Sequence, residues 1–542
     1  MTILKIRATI TLSLLSFIPA MAQMDNVIDV EHVYKPEIKD ANKISIQPEV
    51  NATTVQRSPV DYAITSVPVK NYAITPIWAV KGDNAYESEP CRFITLGGGT
   101  EGNILARGAA GFELNEKNLF NIDLGLRGHN ASVERSTDSN LKWDSRFYST
   151  TATAGYEYKI NSASSILIDA GVESQVFNYQ TTETGEFNTD KQHNTLASFS
   201  AHLTPMQFGK FSVSAGAGYE FFSQKYRTSL SKNCNEGIIT ANAALAYSLG
   251  NASEIKIGFG FANVSYSNGI DGYSNFSLRP HYLWHDGNIK IKAGLYVGNL
   301  GIAPDLGFTY RLSPKADLYA DVTGGETTSN TFRNITAANP YWALMPNDGA
   351  AVEMKAQFDQ LSARAGIRFA PVKSMEFDIN AGYEISKDRM EFAPAPDSYA
   401  PVFFADGNRL FVNADLTYCY KDRLSLRLAN QFNIWSIDDK QIDTEDVLWR
   451  PILDLDWSAS VRIVGGLRAG ADFRLQTFKD EKEYAYTRPA TVNLGATLSY
   501  TLNRLPLTVY VKGSNLLNQD YDKYFGYKAP GMNILAGAAL TF

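Results

Sequence analysis

From Cys91 to the C-terminus this chain alternates apolar and polar residues with a period of two, segment after segment. That period is the side-chain repeat of a β-strand. Ala490, Val492, Leu494, Ala496, Leu498 and Tyr500 alternate with Thr491, Asn493, Gly495, Thr497, Ser499 and Thr501. Phe120, Ile122, Leu124 and Leu126 alternate in the same way with Asn121, Asp123, Gly125 and Arg127, and Leu361–Phe369 and Leu467–Leu475 repeat the pattern. One face is apolar throughout; the other carries charges of both signs, polar groups and glycine. A soluble sandwich turns such an apolar face inward, whereas a membrane barrel turns it outward to lipid.

Two features favour the barrel. Short connections at Asn115–Asn118, Leu249–Ala252, His285–Asn288, Ser313–Lys315 and Lys421–Asp422 alternate with long ones at Thr327–Val352, Glu391–Gly407, Ile437–Asp446 and Lys479–Tyr486. Tight turns on one rim and long loops on the other are the outer-membrane pattern. Tyr156, Tyr158, Tyr247, Tyr310, Tyr418, Tyr420 and Tyr500 each precede a short turn, while Trp435 and Trp449 flank a long loop. Rings with a polar tip settle where lipid meets water. In lipid every backbone donor and acceptor must be paired, so spanning strands must close into a ring. Counting hairpins predicts an all-β fold, a transmembrane antiparallel barrel of about 22 strands with both ends on the short-turn side. The last strand, ending at Phe542, would close against the first, near Arg92–Gly98.

Composition agrees once it is read this way. The 44% hydrophobic content contains no apolar run of the roughly 18–20 residues that a spanning helix needs. A net charge of -7 offers no basic footprint for nucleic acid, and the 3 cysteines form no CxxC pair. At the N-terminus Lys5 and Arg7 precede the apolar stretch Ala8–Ala22, which ends in Ala-Met-Ala. This is the pattern of a secretory signal peptide, 1–22, cut after Ala22. Residues 23–90 are interrupted by Pro36, Pro48, Pro59, Pro68, Pro76 and Pro90 and carry the near-repeat Asp61–Thr65 and Asn71–Thr75. They read as an extended periplasmic or lumen segment, followed by the barrel, 91–542. Within them Val27, Ile28, Asp29, Val30, Glu31, His32 and Val33 form a short alternating stretch suited to pairing as a strand.

The C-terminal region resembles the TonB-dependent receptors of Gram-negative outer membranes. Asn515-Leu516-Leu517-Asn518-Gln519-Asp520-Tyr521 and Pro530-Gly531 stand where that family carries an N-L-F-D-x-x-Y stretch and P-G before its final strand, with Met532 at the place of the usual arginine. Thr95–Thr100 and the proline-rich lead look most like plug-poor members of the Bacteroidetes type. The resemblance implies nutrient or ligand uptake or surface binding in the outer membrane, with Val27–Val33 as a TonB-contact strand. Residues 23–90 are about half as long as the plug of a full receptor, so a separate periplasmic or surface protein is an expected partner besides lipid.

No enzyme constellation is present: HExxH, GxSxG, a Walker loop and clustered cysteines are absent. His281 and His285 share a strand face, but roughly 13 Å apart, too far for one metal ion. No cofactor is expected. The polar face carries Asp123, Arg127, Asp169, Glu173, Arg364, Arg368, Glu376, Asp378, Asp415, Arg427, Arg468, Asp472 and Arg474. Neighbouring strands predict pairs of Asp415 with Arg427, and of Arg364 or Arg368 with Glu376 or Asp378. The long loops bring Phe332, Tyr341, Trp342, Phe392, Tyr399, Phe403 and Phe404 to one rim as candidate extracellular ligand-facing aromatics, suited to a glycan or another small molecule. A passive porin-like channel and a non-transport assembly scaffold remain alternatives at this point.

Overall fold

The computed structural model describes residues 92–542 outside the segments 135–141, 179–191, 226–233, 345–353, 393–399, 439–448 and 480–488 and the turn positions 251, 268, 422, 503–504 and 525–526. The expected signal peptide, the segment 23–90 with Val27–Val33, and Tyr399 lie outside the described residues. In chain order the first strands are β1 (Phe93–Gly99), β2 (Ile104–Asn115), β3 (Asn118–Glu134), β4 (Lys142–Lys159), β5 (Ser165–Phe177), β6 (Gln192–Phe208), β7 (Phe211–Lys225) and β8 (Cys234–Ser248). Then come β9 (Ser253–Tyr266), β10 (Tyr273–Asp286), β11 (Ile289–Gly298), β12 (Gly301–Ser313), β13 (Ala316–Thr327), helix α1 (Phe332–Ala338) and the short β14 (Trp342–Leu344). The second half holds β15 (Gln357–Val372), β16 (Met375–Phe392), β17 (Ala400–Tyr420), β18 (Leu424–Asp438), β19 (Leu453–Val464), β20 (Leu467–Thr477), β21 (Thr491–Thr501) and β22 (Leu507–Ser514). A small hairpin of β23 (Asp522–Tyr524) and β24 (Tyr527–Lys528) precedes β25 (Asn533–Thr541).

Each wall strand pairs antiparallel with its neighbours, β13 passes directly to β15, and β22 to β25. The ring of 22 strands closes between β25 and β1, in register from Phe93↔Thr541 to Gly99↔Leu535. At this seam the Tyr510 side chain lies across Gly97 and Gly537, where a Cβ would stand 2.8 and 2.5 Å from its hydroxyl. Both positions need glycine because the ring occupies the space a side chain would take.

The outer face is apolar around the ring. Leu96, Phe199, Phe259, Phe276 and Ile302 are all more than half exposed, Ile302 at 67%. A water-soluble protein does not sustain so continuous an apolar surface; the hydrocarbon of a bilayer accommodates it. One polar residue on this face illustrates the constraint: the Asn430 amide donates to the Ala414 carbonyl at 2.8 Å and accepts from the Trp457 indole at 2.8 Å, leaving neither end idle. Inside, ion pairs line the wall: Arg107–Asp123 at 2.7 Å, Lys292–Asp305 at 2.6 Å and Arg474–Asp454 at 2.8 Å.

The expected pairing of Arg368 with Asp378 is present at 3.1 Å. Arg364 instead binds Asp321 at 3.2 Å, because the register sets it directly opposite Asp321 on β13 and opposite Gly382 on β16. Asp415 faces Asp378 and Ala429, while Arg427 faces Thr417, so the register sets the two only diagonally and the predicted Asp415–Arg427 ion pair does not form. The predicted loop Glu391–Gly407 is mostly strand, since β16 runs to Phe392 and β17 starts at Ala400. Conversely, β11 and β12 meet at a tight Asn299–Leu300 turn on the long-loop rim.

Candidate functional site

The connection from β13 to β15 folds back over the inner wall as a strap. Thr331 caps α1, its hydroxyl accepting from the Asn334 N–H at 3.3 Å. The preceding Asn330, fully buried, donates to the carbonyls of Lys355 and Asp388 and so ties both ends of the connection to β16. The opening N–H groups of the helix meet a wall carboxylate: Glu236 of β8 accepts from Phe332 at 2.5 Å and Arg333 at 3.4 Å. The Arg333 guanidinium binds Glu220 of β7. Thr336 donates to Gln224 Oε1 at 3.3 Å and accepts from the Trp342 indole at 2.8 Å. After the helix, β14 runs parallel to Ala400–Val402, the top of β17.

Outward residues beside Glu236 on β8 and β9 are polar or small (Asn235, Gly237, Ser265), with one aromatic ring, Phe221 of β7, opposite Gly237, and the exposed apolar band starts below them at Tyr219 and Ile239. Glu236 therefore stands above the bilayer-spanning part of the wall. Burial raises its carboxyl to about 7, and nearby Glu220 adds to the rise, against the lowering effect of the two backbone N–H groups and Arg333.

The described aromatic residues expected at this rim fall into three packed groups, two of them built around the strap. Phe332, Trp342 and Phe392 join Phe222, Ile335, Met354, Ala400 and Val402 in one buried cluster, with Phe404 at its border. Tyr341 belongs to a second cluster, stacked on Tyr527 at 3.6 Å and 2° and edge-on to Phe177 at 5.7 Å. Its hydroxyl is held well above the ordinary tyrosine range by burial, with Tyr527 and Tyr524 adding to the effect. Phe403 borders a third group with Ala405, Ile437, Trp435 and Trp449. The strap therefore joins β5, β7 and β8 on one side to β17 on the other, and it meets the β23–β24 hairpin at Tyr341.

Beside it, the upper ends of β16–β18 hold a charged cluster that sequence reading missed. Buried Glu391 accepts from Arg389 at 2.5 Å, Arg450 at 3.2 Å and the Trp449 indole at 2.5 Å. Arg409 binds Glu384 at 3.1 Å. Arg389, Arg409 and Arg450 all lie about the Trp435 ring, at 5.2, 4.9 and 4.9 Å from its centroid. Burial lowers the Arg450 guanidinium to about 10, partly offset by Glu391. Among the described residues no group of His, Cys, Asp and Glu has a metal-holding arrangement.

Neither the family models nor the curated proteins contain a match to this sequence. Solved structures do. The ferric-catecholate import receptor Fiu from E. coli K12 superposes with a TM-score of 0.61 at 9% identity, covering 84% of this chain and 82% of its own. The siderophore receptor PirA from Acinetobacter baumannii gives 0.63 at 11% identity, covering 85% and 81%. A variant of the ferric enterobactin receptor PfeA from Pseudomonas aeruginosa, in complex with enterobactin, gives 0.61 at 12% identity, covering 85% and 82%. The fold is thus the 22-strand barrel of the TonB-dependent receptors, the family that the C-terminal residues resemble.

Proposed function

We propose that this protein is an outer-membrane receptor of a Gram-negative bacterium that takes up a small ligand from outside the cell. The observation that carries this reading is a lipid-facing barrel of the receptor type whose long-loop rim carries a folded, aromatic-cored strap. Charges of both signs along the inner wall form neighbouring pairs, which suits a wet, mechanically stiff wall better than an ion-selective pore. Binding and transport need no reacting group, and the clusters at the rim are held by hydrogen bonds rather than poised for chemistry. Val27, Ile28, Asp29, Val30, Glu31, His32 and Val33 are the segment we assign to contact with TonB or an equivalent periplasmic energiser. The rim aromatics Phe332, Tyr341, Trp342, Phe392, Tyr399, Phe403 and Phe404 are assigned to the ligand-side surface when the strap lifts.

The test is uptake in whole cells. Ligand accumulation should fall to background when TonB is removed, and equally when residues 27–33 are deleted while the barrel remains in the membrane. Accumulation untouched by either change would overturn energised uptake.

A further inference from the structure

The inner faces of β5–β7, beneath the strap, carry a row of neutral amides that the barrel itself does not satisfy. The register sets Gln175, Asn194 and Gln224 side by side, with Gln192 one inward position above Asn194 and next to Phe177. Gln192, Asn194 and Gln224 are at most 1% exposed. Gln175 is fully used: its amide donates to Glu173 at 2.8 Å and its oxygen accepts from Asn194 at 3.4 Å. The strap serves one more atom, with Thr336 donating to Gln224 Oε1. Gln192 Oε1, Asn194 Oδ1 and Gln224 Nε2 are left with no partner.

Buried polar atoms are nearly always bonded, so one unmet group could be incidental. Three on adjacent positions, two acceptors and one donor, describe an incomplete binding row. Apolar side chains frame it: the Phe177 ring beside Gln192, and Leu196 and the Phe222 ring one inward position below Asn194 and Gln224. Among the described residues, the carboxylates bonded to this row or to the strap over it are Glu173, Glu220 and Glu236, and the Arg333 guanidinium is engaged by Glu220.

We propose that this row is a recognition site for an uncharged, polyhydroxylated ligand, an oligosaccharide, which takes the place of the strap. A hydroxyl both donates and accepts, so one sugar edge can meet Gln192 Oε1, Asn194 Oδ1 and Gln224 Nε2. Its C–H faces suit the flanking rings. The described carboxylates Glu173, Glu220 and Glu236 disfavour an anionic iron chelate. This deepens the uptake reading given above and rests on it for biological purpose, although the binding itself does not.

The experiment is calorimetric titration of the purified full-length protein with maltohexaose, with cellohexaose and with a ferric tris-catecholate. Binding of a hexasaccharide, weakened about tenfold by Gln224→Leu or Asn194→Leu, is expected, the factor that follows from one lost hydrogen bond. Gln192→Leu makes the same test at a residue with no bond to the strap, and heat-modifiable gel mobility shows that each variant remains a folded barrel. Two results would overturn the site: neither hexasaccharide binding, or binding that all three leucine variants leave unchanged. Binding of the catecholate alone would likewise sink it while leaving receptor function standing. TonB has no part in this measurement, so failure of energised uptake in cells would be seen separately.

Discussion

The wall of this barrel is tall at β16–β17 and low at β10–β12. β17 has 21 residues and β16 has 18, whereas β11 has 10. About 9–11 residues suffice to cross a bilayer. The low wall is therefore close to what lipid requires, and the tall one rises well beyond it. The polar content follows the same division. The top of the tall wall holds Arg389, Glu391, Arg409 and Arg450 around two indoles. At the low wall the Asn299–Leu300 turn is pinned by local bonds: Asn299 accepts from the Phe276 N–H at 3.0 Å and donates to the Ser274 carbonyl at 2.6 Å, and Glu326 accepts from the Leu300 N–H at 2.5 Å. The membrane sets the minimum strand length, and the additional length was used to build a rim with its own packed interior.

The sharpest way to break this contrast is at Glu391. Glu391→Ala leaves two poorly solvated guanidinium groups without their shared acceptor, and removing one partner of a buried ion pair costs about 3–5 kcal/mol. A large drop in the temperature at which the folded barrel loses its gel mobility is expected, together with faster hydrogen exchange in β16–β18; an unchanged melt would show that the tall wall is held by its backbone alone. Trp342→Ala comes next, since a buried indole replaced by alanine forfeits about 3 kcal/mol or more. Here the loss should be confined to the strap, with exchange rising in 328–344 and the wall unaffected.

A smaller, conditional effect follows from Glu236. Its carboxyl is held at about 7 in the docked strap, against an ordinary value of 4.5, so the docked state binds more protons than the released one. Docking is therefore strongest below pH 4.5 and weakens as pH rises through about 7. Proton release here is felt by Glu220 and Arg333, and the Tyr266 and Tyr273 hydroxyls also face this carboxylate. Exchange in the α1 peptide should increase between pH 5 and pH 8 (about the range of this titration), and Glu236→Gln should flatten that rise. A slope that survives the substitution would assign the sensitivity elsewhere. Smallest of all is Asn299→Ala at the low wall, which removes neutral hydrogen bonds from an exposed turn and should cost about 1 kcal/mol, with no change at the tall wall.

Much of the wall was legible in the sequence because a strand facing lipid on one side and a polar lumen on the other must alternate. Strand β21, Thr491–Thr501, shows this residue by residue. The two rims were legible for a related reason: a hairpin that must return at once carries turn residues, as at His285–Asn288. Pairing partners were harder. Arg368 met Asp378 as expected, but Arg364 turned to the other neighbour, since register is fixed by turn geometry and bulges such as that between Thr323 and Gly325. The strap was least legible. Glu236, Gln224 and Asn194 are inward polar residues like many others along the wall, and nothing in their local sequence marks them as facing α1.

The sequence by itself determined that this chain forms a closed, lipid-facing antiparallel barrel, because period-two alternation over so many hairpins leaves no other way to pair every backbone group in a membrane. It also placed Phe332, Tyr341, Trp342, Phe392, Phe403 and Phe404 in or beside the long connections. Only the tertiary structure decided that Phe332, Trp342 and Phe392 share one buried cluster under the strap while Tyr341 and Phe403 join two others, and that Asn194 Oδ1 and Gln224 Nε2 lie unsatisfied nearby. The reason is physical: alternation is a local consequence of solvent on either side of a strand, whereas the fate of a loop depends on contacts between residues about a hundred positions apart, such as Glu236 and Phe332.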